Sequence, residues 1–211
     1  MRLIGMLDSP YVRRVAVSLQ LLGLRFAHQS MSVFRSFEQF QQINPLVKAP
    51  TLVCDDGTVL MDSGLILEYA EALAHPRSLM SSNLDDLTHE LRVIGLALAA
   101  CEKSVQLYYE QALRPPEKQH QPWVERVSGQ ARAAYTALER ELALRPLSTE
   151  RDAITQAGIS AAVAWQFTQQ VLPGVVPKAD HPHLIAFSAA AESLPEFLAA
   201  PHGDSTYRET G

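Results

Sequence analysis

The chain has 211 residues, 47% of them apolar and 19% charged, with 23 acidic against 18 basic side chains and a formal net charge of −5. That length and composition suit a globular protein with one large or two small domains, and the charge balance lacks the basic footprint of a nucleic-acid binder. Two distant cysteines, Cys54 and Cys101, exclude a disulfide framework and a cysteine-based zinc site, and no apolar run approaches the ~18 residues of a membrane helix. With no signal-peptide pattern at the N-terminus, the cytoplasm is the expected compartment.

Residues 2–7 form a short apolar run closed by Asp8-Ser9-Pro10, which reads as a buried strand. Val12, Val15, Ala16, Leu19 and Leu22 then recur at helical spacing and stop at Gly23, so a helix is expected over 11–22. Arg13 and Arg14 read as charges on its solvated face. Residues 24–30 suit a second strand and 37–43 a weak helix that ends before Asn44-Pro45. Two strands around Asp56-Gly57, 51–54 and 58–61, make a hairpin. A helix over 64–74 follows. The order β-α-β-α-β-β-α predicts an α/β domain with a mixed sheet over residues 1–76.

Residues 77–83 are the expected linker, and 84–211 read as an all-helical domain. Leu84, Leu87, Leu91, Ile94, Leu98, Cys101, Val105 and Tyr108 step by three and four. This is a long bundle helix rather than a coiled coil, because e/g charge pairing is poor. A second helix runs over 123–142 and an apolar, central one over 153–172. Asp180 is the expected cap of the next, with Pro182 in its first turn. The tail from Pro195 is expected to fray.

Three short stretches carry chemistry. Ser9 stands where a strand feeds a helix, and Pro10 suits a first turn that has an N–H to spare. Pro50 begins a strand in "NPLVKAPTL" and is a candidate cis proline, which would bare the Ala49 backbone to an extended peptide. Asp62-Ser63 opens a helix, whose positive end suits a carboxylate while Asp62 suits an ammonium group. Each stretch taken alone is also an ordinary cap or loop.

Taken together, "SPYVRRV", "NPLVKAPTLV" and "DSGLILEYAE" resemble the cytosolic glutathione S-transferase family, closest to its bacterial serine-type members. The resemblance is strong over residues 1–75 and looser beyond, where it rests on helix order and "EQALRP". It implies a thioredoxin-like N-terminal domain followed by an all-α domain, with glutathione as co-substrate and no metal. Ser9 would touch the glutathione sulfur as the catalytic residue. Ala49, before a cis Pro50, would pair with the cysteinyl backbone, Asp62 and Ser63 would hold the γ-glutamyl end, and Lys48 would meet the glycyl carboxylate. Ser9 and Val12 stand where thioredoxins have cysteines, so dithiol exchange is excluded.

A hydrophobic electrophile is expected against the long helix at Cys101, Val105, Tyr108 and Tyr109; core packing is the competing reading for Cys101 and Tyr108. The resemblance also implies a homodimer formed through the helix after "MDSG" and the long helix. The alternative to an enzyme is a transferase-like binding or regulatory protein without turnover. One departure concerns stability: family members commonly place Asp three residues after a Ser or Thr cap on the buried helix. Here Gly158 follows Thr155, so Gly158→Asp is expected to raise the melting temperature.

Overall fold

The computed structural model describes residues 1–207. The expected element order stands in the first part of the chain: β1 (Arg2–Ile4), α1 (Pro10–Leu21), β2 (Ala27–Gln29), α2 (Phe37–Ile43), β3 (Thr51–Val53), β4 (Val59–Met61) and α3 (Ser63–Ala74). The sheet order is β2-β1-β3-β4. β1 pairs parallel with β2 through a helical crossover, and antiparallel with β3, which turns back into β4. The strands have three residues each, shorter than the apolar runs that mark them, because each run continues into loop backbone outside the ladder.

Among the described residues five α-helices and two short 3-10 turns follow; the α-helices are α4 (Leu84–Leu113), α5 (Gln121–Leu144), α6 (Gln156–Val171), α7 (Pro182–Ala191) and α8 (Pro195–Ala199). The observed architecture is therefore a mixed-sheet α/β domain followed by helices only, as expected.

The chain divides into two compact units. The first is Met1–Leu79 together with the segment from Ser193 onward, and the second is Met80–Glu192. The tail thus departs from its expected place. Phe197 and Ala200 are fully buried, and the Arg13 side chain of α1 donates to the carbonyls of Ala200 (Nε, 2.7 Å) and Phe197 (Nη2, 3.4 Å). Its guanidinium also lies 5.6 Å from the Phe197 ring centre. Gln20 Nε2 adds a bond to the Glu196 carbonyl. A helix of five residues has too few internal bonds to persist alone; α8 is held because α1 reaches out to it.

The same observation corrects the reading of the two arginines. Neither lies on a solvated face: both are buried, as is every other residue of α1 from Val12 to Leu19. A buried guanidinium needs partners. Arg13 takes carbonyls, and Arg14 takes the hydroxyl of Ser63.

In the second unit α4 packs on α5 and α6, and α7 on α6 and α5. α6 is the buried centre, as expected, and small residues let it come close to its neighbours. The Tyr135 hydroxyl of α5 donates to the Ala164 carbonyl at 2.7 Å and lies 2.6 Å from Thr168 Oγ1, which reaches Ser104 Oγ of α4 at 2.7 Å. This chain satisfies the hydroxyls of Tyr135, Thr168 and Ser104 where the three helices meet.

Two capping expectations fail. Thr155 stands at the N-cap of α6 but makes no side-chain cap bond. Asp180 does not cap α7; its N-cap is His181, and Glu139 of α5 supplies the acceptor instead. Glu139 takes the N–H groups of His183 (2.8 Å) and Leu184 (2.9 Å), and His183 Nδ1 as well (2.7 Å). An acid from a neighbouring helix does the work of a local cap.

Candidate functional site

The first corner is built by Ser9. It is the N-cap of α1, with extended backbone, and its Oγ accepts from the Val12 N–H at 3.4 Å. The bond is long, so the hydroxyl is only loosely held by the helix. Oγ is acceptor in that bond, and its own hydrogen points elsewhere. Pro10 occupies the first helical position, as expected.

Ala49 is brought to the same corner. Gly5, with φ of +135°, sits between the two: a Cβ there would lie 2.6 Å from Val12 Cγ2 and 3.0 Å from Ala49 Cβ. Only glycine lets β1 end this close to both α1 and the Ala49-Pro50 turn. The Ala49–Pro50 peptide bond is cis, as is His75–Pro76, which the sequence reading passed over.

The third stretch is tied in by an arginine that sequence reasoning set aside. Arg14 Nη1 donates to Ser63 Oγ at 3.1 Å, both groups buried. With its lone pair engaged, the Ser63 hydroxyl presents its hydrogen as a donor. The available signal was compositional. Residues 10–22 carry two charges, both arginine, on a helix otherwise apolar or small save for Tyr11 and Gln20. Such a helix has no solvated face, so its charges must have buried partners.

Asp62, not Ser63, caps α3. Its Oδ1 accepts from the Gly64 N–H at 2.9 Å, and its Oδ2 lies 3.4 Å from Lys48 Nζ. Its backbone is left-handed at φ +73°, an unusual state for a residue with a side chain, and Val47 at φ +49° is another. Such backbone costs of order 1–3 kcal/mol and persists where the surroundings enforce it. Burial pushes the Asp62 carboxyl up, but the Gly64 N–H, Lys48 and the Leu65 N–H outweigh it, and the pKa is lowered. Asp62 is therefore an anion at neutral pH. Lys48 and Asp62 are both about half exposed (52%), so their pairing is weak and Lys48 can turn to another anion.

Asp8 stands beside Ser9. Burial raises its carboxyl pKa, opposed by His202, by the Ser9 N–H and by Arg35.

Of the residues expected to line an electrophile site, all lie on α4. Cys101 is buried, Val105 is half-buried and Tyr109 is exposed. Tyr108 is half-buried and packs on the Leu107, Val127 and Leu172 cluster, the core role weighed for it above. The Tyr108 and Tyr109 rings are 6.2 Å apart. Among the described residues no group of three or more His, Cys, Asp or Glu is arranged to hold a metal ion, and no helix is long and apolar enough to cross a membrane.

Comparison with known proteins gives one consistent answer. Residues 3–78 match the family described as "Glutathione S-transferase, N-terminal domain". The "Uncharacterized GST-like protein YibF" of Escherichia coli K12 is 28% identical over 88% of this chain and 90% of its own length. A crystal structure of a glutathione transferase family member from Pseudomonas fluorescens Pf-5, with bound S-(propanoic acid)-glutathione, is 32% identical, covers 95% of this chain and 98% of that one, and superposes with a TM-score of 0.79. A glutathione S-transferase from Methylobacterium radiotolerans, in complex with glutathione sulfonate, has a TM-score of 0.85 over all of this chain and 99% of its own; at 24% identity it speaks for the fold alone.

Proposed function

The chain belongs to the glutathione transferase family, and from that premise we propose that it binds glutathione in its first unit and joins it through its sulfur to a hydrophobic electrophile, with Ser9 activating the thiol. The observation that carries this reading is the convergence of three stretches distant in sequence. Gly5 packs against both Val12 and Ala49, and Arg14 of α1 holds Ser63 of α3. Ser9, Ala49 and the Asp62-Ser63 pair are thereby fixed to one frame.

In this reading each group meets one part of the tripeptide. Asp62, an anion, faces the γ-glutamyl ammonium. The Ser63 hydroxyl, its oxygen occupied by Arg14, donates to the γ-glutamyl α-carboxylate. The Ala49 backbone pairs with the cysteinyl backbone as a short added strand. Lys48, released from Asp62, meets the glycyl carboxylate.

Ser9 acts on the sulfur. A free thiol has a pKa of about 8.5, so little thiolate exists at neutral pH. Lowering it by about two units takes about 2.7 kcal/mol. A hydrogen bond to a charged group gives roughly 1.5–3 kcal/mol, and a helix N-terminus roughly 0.3–1. The Ser9 hydroxyl, polarised by the Val12 N–H, together with the start of α1 reaches that sum. The thiol proton passes to water. The thiolate then forms a bond to the electrophilic carbon, and a leaving group departs or the electron pair released is protonated by water. The S-(propanoic acid)-glutathione bound to the Pseudomonas relative carries its substituent on the sulfur of glutathione, which fits this class of reaction. The electrophile would lie along α4 at Cys101, Val105, Tyr108 and Tyr109.

The test is the ultraviolet absorbance of bound glutathione thiolate across pH in wild type and Ser9→Ala. The expected result is a titration midpoint higher by about one to two units in the variant, with kcat/KM at neutral pH down about 10–100-fold. Equal midpoints would remove Ser9 from the mechanism. Failure to be retained on immobilised glutathione, with no turnover of an activated aryl halide, would favour the non-catalytic reading.

A second copy of the chain is the proposed partner. Leu65 (60% exposed), Tyr69 and Leu73 (50%) repeat every four residues along one face of α3, with exposed Val59 before it. On α4, Leu84 and Leu91 are exposed one heptad apart. Apolar stripes of this kind mark interaction faces.

A further inference from the structure

β2 is an edge strand, and its residues on one face engage the chain's last described segment one after another. Phe26, just before the strand, stacks on the Tyr207 ring with centroids 4.6 Å apart and planes at 14°. His28 Nδ1 accepts from the Tyr207 N–H at 2.9 Å. Ser30 Oγ donates to the Asp204 carbonyl at 2.9 Å. Positions 26, 28 and 30 share a face because strand side chains alternate. The other nitrogen of His28, Nε2, lies 2.8 Å from the Gly5 carbonyl.

These partners fix the state of the ring. A carbonyl can only accept, so Nε2 carries a hydrogen. An N–H can only donate, so Nδ1 must be bare. The imidazole is neutral and in one tautomer. An imidazolium has no lone pair for Tyr207, and two N–H groups would then face each other.

We infer that residues 201–207 form a strap over the first unit, latched on β2 by neutral His28 and released when His28 takes up a proton. The sign follows from burial. Burial lowers the His28 pKa, opposed by its bond to the Gly5 carbonyl. The docked strap is therefore fully held above the ordinary histidine value, near 6.5, and loses its hold as pH falls through the lowered one. The charged residues on the elements around His28 are Arg2 of β1, Arg25 ahead of β2, and His202 and Asp204 on the strap itself. Its shift arises from burial and the Gly5 carbonyl, not from these charges.

The strap also reaches the Ser9 corner. His202 and Asp204 both act on the Asp8 carboxyl, in opposite directions. Release of the strap withdraws both and leaves Asp8 more open to water, beside the proposed thiolate. This consequence rests on the proposed function; the latch itself does not.

The experiment is hydrogen–deuterium exchange of backbone amides 202–207 in the full chain from pH 8 to 5, corrected for intrinsic exchange. The second variant is His28→Gln, whose amide can donate to the Gly5 carbonyl and accept from Tyr207 without titrating. Wild-type protection is expected to fall as pH drops from the ordinary histidine value of 6.5 towards the lowered His28 value, by about tenfold per pH unit within that window, the slope of a one-proton linkage, and then to level off, while His28→Gln keeps its protection. The imidazole nitrogen resonances of wild-type His28 must titrate with the same midpoint. Flat wild-type protection, an equal acid release in His28→Gln, or a different His28 midpoint would overturn the latch. Glutathione affinity measured alongside separates the two ideas: a failed Ser9 mechanism leaves the exchange profile unchanged.

Discussion

Gly158 shows how one missing methyl group can be read two ways. In sequence it is a defective cap; in the structure it is a contact surface. A Cβ at this position would lie 3.0 Å from Phe187 Cζ of α7 and 3.1 Å from Ile154 Cγ1. The glycine lets α7 approach α6, and a carboxylate would have to enter a buried site. The expectation that Gly158→Asp stabilises is thus reversed. Gly158→Ala sets a helix-propensity gain of about 1 kcal/mol against overpacking of about 1–3 kcal/mol, so it should be neutral to about 2 kcal/mol less stable, and Gly158→Asp should be less stable again, because a larger, charged side chain enters the same tight, buried site. Thermal unfolding of both variants checks the order. Contacts with α7, some thirty residues away, leave no mark on the local pattern around 158, so a capping argument had nothing to oppose it. Ser9, Ala49, Asp62 and Ser63 were legible because their residue types and spacing survive in sequence. Arg14 was not, since its partner is 49 positions away.

At the scale of elements, the period of apolar residues located nearly every helix, and the errors fell where a helix end borrows its partner from elsewhere. α8 is one case. Arg13→Met should lower stability by about 1–3 kcal/mol, since the carbonyls of Phe197 and Ala200 lose a buried charged donor. Amide exchange over 195–200 should quicken while the Tyr135 network of the second unit is unchanged. α7 is another. Burial pushes the Glu139 carboxyl up, but the N–H groups of His183 and Leu184 and the His183 ring together hold it below its ordinary value. A lowered carboxylate pKa adds stability above the unfolded value and loses it as pH falls through the folded one. Glu139→Gln should therefore be less stable than wild type at pH 7, and the gap should close on acidification below about pH 4. Denaturant melts at the two pH values test this. A gap that persists in acid would place the cap's strength outside the carboxylate charge.

For the whole molecule, the exposed stripe on α3 bears on assembly. Leu65→Glu should convert a dimer to a monomer, read by light scattering on a sizing column, with little change in the unfolding of the isolated chain because Leu65 is largely solvated. An unchanged mass would move the interface elsewhere. Sequence gave no warning that the first unit is closed by residues from Ser193 onward, because no apolar period joins the tail to α1 across some 180 intervening positions. That closure bears on the order in which the protein can mature on the ribosome. The helical unit, Met80–Glu192, is continuous in sequence and can finish folding as soon as it leaves the exit tunnel. The first unit, though its larger part is translated earlier, must wait for the segment that begins at Ser193. Until then Arg13 lacks the carbonyls of Phe197 and Ala200 that complete the domain, a natural place for a nascent chain to linger with a chaperone.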